Sequence, residues 1–180
     1  MQKEYEIHVK WVAFPLHPEI PEEGLGLEEL FAGRAVDMKA TSLRLRRVAR
    51  ELGLPFGERT KTFNTRLAQE LAKWAEAEGK GDEYHRAVFR AYFVEGTNIA
   101  KLDELAYLAA SIGLIRDEAL HVIEKRIFRE EVDADWTRSH DLFINSVPTF
   151  VMDDQRVVGA QPYDVLERFV KSCGMAKRRP

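Results

Sequence analysis

Sulfur is scarce in this chain. Among 180 residues there is one cysteine, Cys173, which excludes an intrachain disulfide, a Cys-x-x-Cys redox pair and any zinc site built on several thiolates. Long apolar runs are absent too. A stretch such as residues 105–115 falls well short of the roughly 20 residues that span a bilayer. Residues 1–20 interleave Lys3, Glu4, Glu6, His8 and Lys10 with apolar side chains, which is no signal peptide. An excess of one charge is missing as well: 27 basic against 30 acidic residues leave a net −3, no drive toward nucleic acid or an anionic membrane. The hydrophobic share, 45%, is too high for disorder. These absences lead us to expect a cytoplasmic soluble protein with neither nucleic acid nor membrane as partner.

Pattern takes over where composition stops. Tyr5, Ile7, Val9 and Trp11 alternate with Glu4, Glu6, His8 and Lys10, the period of a strand with one solvated face. Pro15, Pro18 and Pro21, then Gly24 and Gly26, predict an extended loop outside helix and sheet. From about Leu27 to Ile144 nearly everything reads helical. Leu43, Val48 and Leu52 belong to one segment; a second, capped by Asn64 or Thr65, presents Leu67, Ala68, Leu71, Ala72 and Ala75. Tyr84 to Phe93, stopped by Gly96, and Leu102 to Ile112, stopped by Gly113, follow. Two more run from Arg116 to Arg126 and from about Phe128 to Leu142. The last forty residues are different: Val147-Pro148-Thr149-Phe150-Val151-Met152, a turn at Asp153-Asp154, and Arg156-Val157-Val158 form a β-hairpin. Pro162 opens a closing helix with Val165, Leu166, Phe169 and Val170 inward, and 177–180 read as a frayed basic tail.

Few residues carry obvious chemistry. His8, His17, His85, His121 and His140 lack paired ligand spacing, so no metal site is expected. His140-Asp141 lies a few residues before Pro148, within reach of the hairpin, but no nucleophile stands beside it. Arg44, Arg46, Arg47 and Arg50 form a solvated helix face, and Gly24-Leu25-Gly26 is no dinucleotide fingerprint. Tyr84, Phe89, Tyr92 and Phe93 read as core. Cys173 lies at the end of the closing helix rather than at a helix N-terminus, where reactive thiols sit, and reads as a bystander. No catalytic residue and no cofactor are expected.

The Val-Pro-Thr-Phe that opens the hairpin, with Gly159-Ala160-Gln161-Pro162 and a last helix behind it, resembles the DsbA-like branch of the thioredoxin superfamily. Its FrnE-like subgroup is the nearer likeness. Residues 11–18 (Trp-Val-Ala-Phe-Pro-Leu-His-Pro) look like that subgroup's second-strand exit. Asn64-Thr65 with Ala68 looks like its Asn-Thr-x-x-Ala helix start, and residues 87–96 are similar to its phenylalanine-rich helix. The related glutathione transferases and chromene-carboxylate isomerases show Gly-x-Asp-Arg after the hairpin, where this chain has Gly159-Ala160-Gln161-Pro162.

The resemblance implies an α/β fold: one DsbA-like domain over 1–180, with a thioredoxin-like part at 4–14 and 147–173 and a large helical insertion over about 27–144. It implies that the small sheet lacks its first strand, because the chain starts at what corresponds to the family's second. The Cys-x-x-Cys turn, or a selenocysteine equivalent, is then expected upstream. The function implied is that of a thiol–disulfide oxidoreductase, inactive as this chain, acting on protein or peptide thiols and disulfides. The alternatives are a redox-dead module binding peptide or glutathione at Val147, Pro148 and Thr149, or a glutathione-dependent transferase or isomerase. The resemblance also implies a cis Val147–Pro148 bond. Two exposed strand edges, at 5–14 and 148–152, lead us to expect a homo-oligomer.

Overall fold

The computed structural model describes residues 1–33 and 37–178. The chain divides into two compact units, His17–Asp133 and a second made of Met1–Leu16 with Ala134–Pro180.

The first unit opens with a two-residue strand, β1 (Leu25–Gly26), and one turn of helix, α1 (Leu27–Leu30). Helix α2 (Met38–Glu51) is started by Asp37, whose carboxylate accepts from Ala40 N–H at 3.0 Å. Strand β2 (Lys61–Thr62) pairs antiparallel with β1. The prolines and glycines at 15–26 thus do not exclude every ladder: they limit it to two residues on each side.

Four further helices build the core: α3 (Arg66–Ala77), α4 (Gly81–Arg90), α5 (Leu102–Ser111) and α6 (Arg116–Glu124). Asn64 explains where α3 begins. Its side-chain oxygen accepts from Arg66 N–H at 2.9 Å, while its amide donates to the Ile20 carbonyl at 2.7 Å. One short side chain therefore starts the helix and ties down the preceding loop. Leu71, Ala75, Tyr84, Leu105, Ala106, Ala109, Ala119 and Ile123 interleave at helical spacing and are fully buried. Alanine at so many of these positions lets the helices approach closely.

At its C-terminal end α4 widens into one π-helical turn, Ala91–Glu95, closed by Gly96 in the left-handed region. The aromatic stripe expected here as core divides. Tyr84 and Tyr92 are buried, but Phe89, in the last turn of α4, is 46% exposed. On α3, Glu70 is 1% exposed. Arg126 donates to both of its oxygens at 2.6 Å, and Arg66 to one at 2.5 Å. Arg126 sits at φ 53° in the turn after α6, so the turn that separates α6 from α7 (Arg129–Asp141) is anchored by a buried carboxylate.

The second unit holds the end of α7, a hairpin of β3 (Thr149–Met152) and β4 (Gln155–Val158), and α8 (Tyr163–Ser172). Phe150 stands opposite Val157, and Met152 opposite Gln155. The turn is two residues long, with Asp153 at φ 52°, a conformation that aspartate tolerates better than most residues. Val165, Leu166 and Phe169 are half-buried and Val170 is buried, which is the face expected of α8.

Two expectations fail in this unit. Residues 5–14 do not form a strand. Among the described residues only Tyr5 is bridged, to Lys177, because alternation prepares side chains for a sheet but a ladder needs a partner backbone. Nor is the basic tail frayed at its start. Arg178 N–H donates to the Glu4 carbonyl at 2.8 Å, its guanidinium reaches the Gln2 and Tyr5 carbonyls, and Lys177 stands over the Tyr5 ring. Residues 179–180 of that tail lie outside the described residues.

Candidate functional site

Val147 lies at the entry to the hairpin of the second unit, just before β3. The Val147–Pro148 peptide is cis. A proline cannot donate to a ladder, so it stands before β3 rather than inside it. Its carbonyl accepts from Gly159 N–H at 2.8 Å, which closes the open end of the hairpin. Thr149 Oγ1 donates to the Ser146 carbonyl at 2.7 Å, and Gln161 Nε2 to the Val158 carbonyl at 2.8 Å. Those bonds fix the loops on both sides of Val147. Val147 itself is 46% exposed, and neither its N–H nor its C=O has a hydrogen-bond partner among the described residues.

Two shallow clefts flank the hairpin. The first, about 230 Å³, is lined by Phe143, Ile144, Asn145, Thr149, Arg156 and Val158. The second, about 240 Å³, shares Phe143, Ile144 and Arg156 and adds acidic groups, Asp141, Asp153 and Asp154. Arg156 donates from one terminal nitrogen to the Leu142 carbonyl at 2.7 Å, which holds its planar head along the cleft wall. Its remaining donors suit a carboxylate. Phe143 is 82% exposed on a backbone at φ 52°.

Of the residues expected at the site, Thr149 lines the first cleft; Val147 and Pro148 are exposed beside it at the start of β3. His140 is solvent-exposed, and its ring stands 3.6 Å from the Asp141 carboxylate. Cys173 caps the end of α8, half-buried, and lines neither cleft. Arg156, Phe143 and Asn145 escaped the sequence reading. Arg156 could have been found, as a cation alternating with Val157 on a hairpin strand; nothing local marks the left-handed turn at Phe143. No group of three or more His, Cys, Asp or Glu able to hold a metal occurs among the described residues.

A second polar cluster fixes the chain ends. The buried Tyr5 hydroxyl donates to Glu167 at 2.6 Å, and Lys171 and Lys177 approach the same carboxylate at 3.1 and 3.5 Å. The hydrogen bonds from Tyr5 and Lys171 hold the Glu167 carboxyl down at about 2. Tyr163, hydrogen-bonded to Glu4, is pushed up to about 12.

Three likenesses bear on this arrangement. An uncharacterised protein of Bacillus subtilis, YwbO, is 29% identical over 168 residues, covering 92% of this chain and 82% of its own length. The crystal structure of a probable DsbA oxidoreductase from Streptomyces coelicolor superposes with a TM-score of 0.80 at 24% identity, over 92% of this chain and 74% of that one, which shows the fold. The cytosolic disulfide reductase DsbM from Pseudomonas aeruginosa, solved with glutathione, gives a TM-score of 0.55 at 26% identity, over 71% of each chain. The α/β architecture with small sheets and a helical insertion is the DsbA-like thioredoxin fold. Residues 1–171 match the DSBA-like thioredoxin domain throughout, and the chain belongs to that family of thiol–disulfide oxidoreductases.

Proposed function

We propose that this chain is a FrnE-like, redox-silent member of its family, which holds an extended thiol- or disulfide-bearing peptide, glutathione included, along the backbone of Val147. The observation that carries this reading is the free N–H and C=O of an exposed Val147, held in place by the bonds of Thr149 and Pro148. A substrate segment lying there would gain two main-chain hydrogen bonds, as in strand addition. Arg156, a few residues away on β4, would take a carboxylate of the ligand. The likeness to a reductase solved with glutathione supports the same ligand class. Residues of about 27–144 would correspond to the family's helical insertion, and a cytosolic setting suits a chain with a single thiol.

Calorimetric titration of glutathione and of a short cysteine-containing peptide into the chain tests this. Binding should be measurable, and Val147→Pro, which deletes the N–H donor, should weaken it about tenfold. Val147→Ala, which keeps the backbone donor, should bind nearly as the parent does. Arg156→Ala should weaken glutathione more than a peptide without a free carboxylate near the thiol. Absence of binding at millimolar ligand, or a Val147→Pro variant that binds unchanged, sinks the reading.

A further inference from the structure

Helices α2, α3, α5 and α8 end alike. After each comes a glycine in the left-handed region, Gly53, Gly79, Gly113 or Gly174, whose N–H donates back into the last turn. The residue after it donates to the carbonyl one position earlier in the helix, which completes the cap. Helix α7 closes with the same two bonds. Phe143 N–H donates to the His140 carbonyl at 2.8 Å, and Ile144 N–H to the Ser139 carbonyl at 2.9 Å. Yet the residue at φ 52° is a phenylalanine, and a bulky side chain is disfavoured there. Arg126 makes the same exception after α6, and its side chain explains it: the guanidinium binds the buried Glu70. No packing explains Phe143, which is 82% exposed. Backbone strain kept without a packing gain is a feature of ligand clamps.

We propose that Phe143 sets the substrate preference of the site: it receives an apolar side chain of the peptide held along Val147. The inference rests on the strand-addition reading of Val147 and adds a substrate class to it. Cysteine peptides with leucine or phenylalanine beside the thiol are preferred to glutathione, which has no apolar side chain to offer. Phe143 and Ile144 line both clefts beside the hairpin, and the first cleft also holds Thr149, the second residue after Val147. Arg156 grips the Leu142 carbonyl, next to Phe143, so the turn that carries the ring is tied to the hairpin. The size of the clefts, about 230 and 240 Å³, suits a side chain. A bilayer or a folded partner needs a far larger apolar surface than one ring set among Arg156, Asp141, Asp153 and Asp154.

Calorimetric titration of the full chain with glutathione and with blocked peptides of equal length reads the preference. The peptides differ only in carrying leucine, phenylalanine or alanine beside the cysteine. The leucine and phenylalanine peptides should bind about tenfold more tightly than the alanine peptide. Phe143→Gly should reduce that ratio to within about twofold, while its melting temperature rises by a few degrees as the strained position is relieved. Phe143→Asn, which tolerates the left-handed region without an apolar ring, should lose the preference as well. Phe143→Tyr should retain it. A ring with a merely structural role would give the reverse, a lower melting temperature at an undiminished ratio. The proposal is overturned by that result, or by a parent chain that binds glutathione but does not discriminate leucine from alanine; strand addition at Val147 then still stands. A parent that binds neither glutathione nor any of the peptides overturns both.

Discussion

Glu70 is a buried carboxylate held by two arginines. Burial alone would raise its carboxyl; the hydrogen bonds from Arg126 and Arg66 outweigh that and hold it below the usual range. Glu70→Gln keeps the shape and removes the charge, which takes the buried carboxylate from Arg126 and leaves Arg66 to Asp133. Breaking a buried pair in this way costs about 3–5 kcal/mol, to be read from urea denaturation at neutral pH. The sign of the pH dependence follows. Because the folded carboxyl is depressed, its contribution is complete above the unfolded value of about 4.3 and is lost as pH falls through the folded one. The gap between parent and variant should therefore be constant near neutrality and narrow on acidification. A gap that widens toward low pH contradicts this account. At the chain ends the logic repeats at a half-buried carboxylate, Glu167, beside the buried Tyr5. Tyr5→Phe removes the largest influence holding Glu167 at about 2, so the Glu167 carboxyl should titrate closer to its ordinary value in an NMR pH series.

At the scale of elements, the π-helical turn after α4 rests on a glycine distant in sequence. Gly57 N–H donates to the Phe93 carbonyl at 2.9 Å, and a Cβ on Gly57 would run into the Val94 carbonyl. Arg59 lies over the Tyr92 ring at 4.4 Å, so the loop covers the turn on two sides. Gly57→Ala should destabilise by about 1–3 kcal/mol, the range for forcing atoms into a packed space, whereas Gly53→Ala has nothing within 4 Å to meet and is strained only by its φ of 67°. Equal losses by thermal melts would argue against the close approach. The same contrast explains what the sequence could and could not reveal. Helices α3 to α6 were legible because their apolar period, and for α3 to α5 the glycines that follow them, are local, and the hairpin because Asp153-Asp154 is turn chemistry between β-rich runs. The β1–β2 pair, the exposure of Phe89 and the ladder missing from residues 5–14 depend on what lies opposite, and no periodicity contains that. At the site, Val147 to Thr149 could be found from a motif. Arg156 and Phe143 gather beside them only because β4 and the end of α7 meet there.

For the molecule as a whole, the decisive quantity for exchange chemistry is the number of thiols. Disulfide exchange proceeds through attack by a thiolate on a disulfide sulfur, which gives a mixed disulfide, and a second thiol then resolves it. This chain offers one thiol, Cys173, at the C-terminal end of α8 and away from both clefts. Reaction with a disulfide could take it to a mixed disulfide and no further without an external thiol, so the cycle cannot close within the polypeptide. Dithiothreitol or glutathione can supply that thiol, so turnover would hinge on Cys173 reaching substrate. Because Cys173 lies at the C-terminal end of α8 and lines neither cleft, the 180-residue chain should not accelerate dithiothreitol-driven reduction of insulin above the uncatalysed rate, nor oxidative refolding of a reduced substrate in a glutathione buffer. Cys173→Ala should match the parent in both assays, while glutathione binding at Val147 survives in that variant. Turnover that depends on Cys173 would show that the thiol reaches substrate after all, and the separation of binding at the hairpin from exchange chemistry would have to be abandoned.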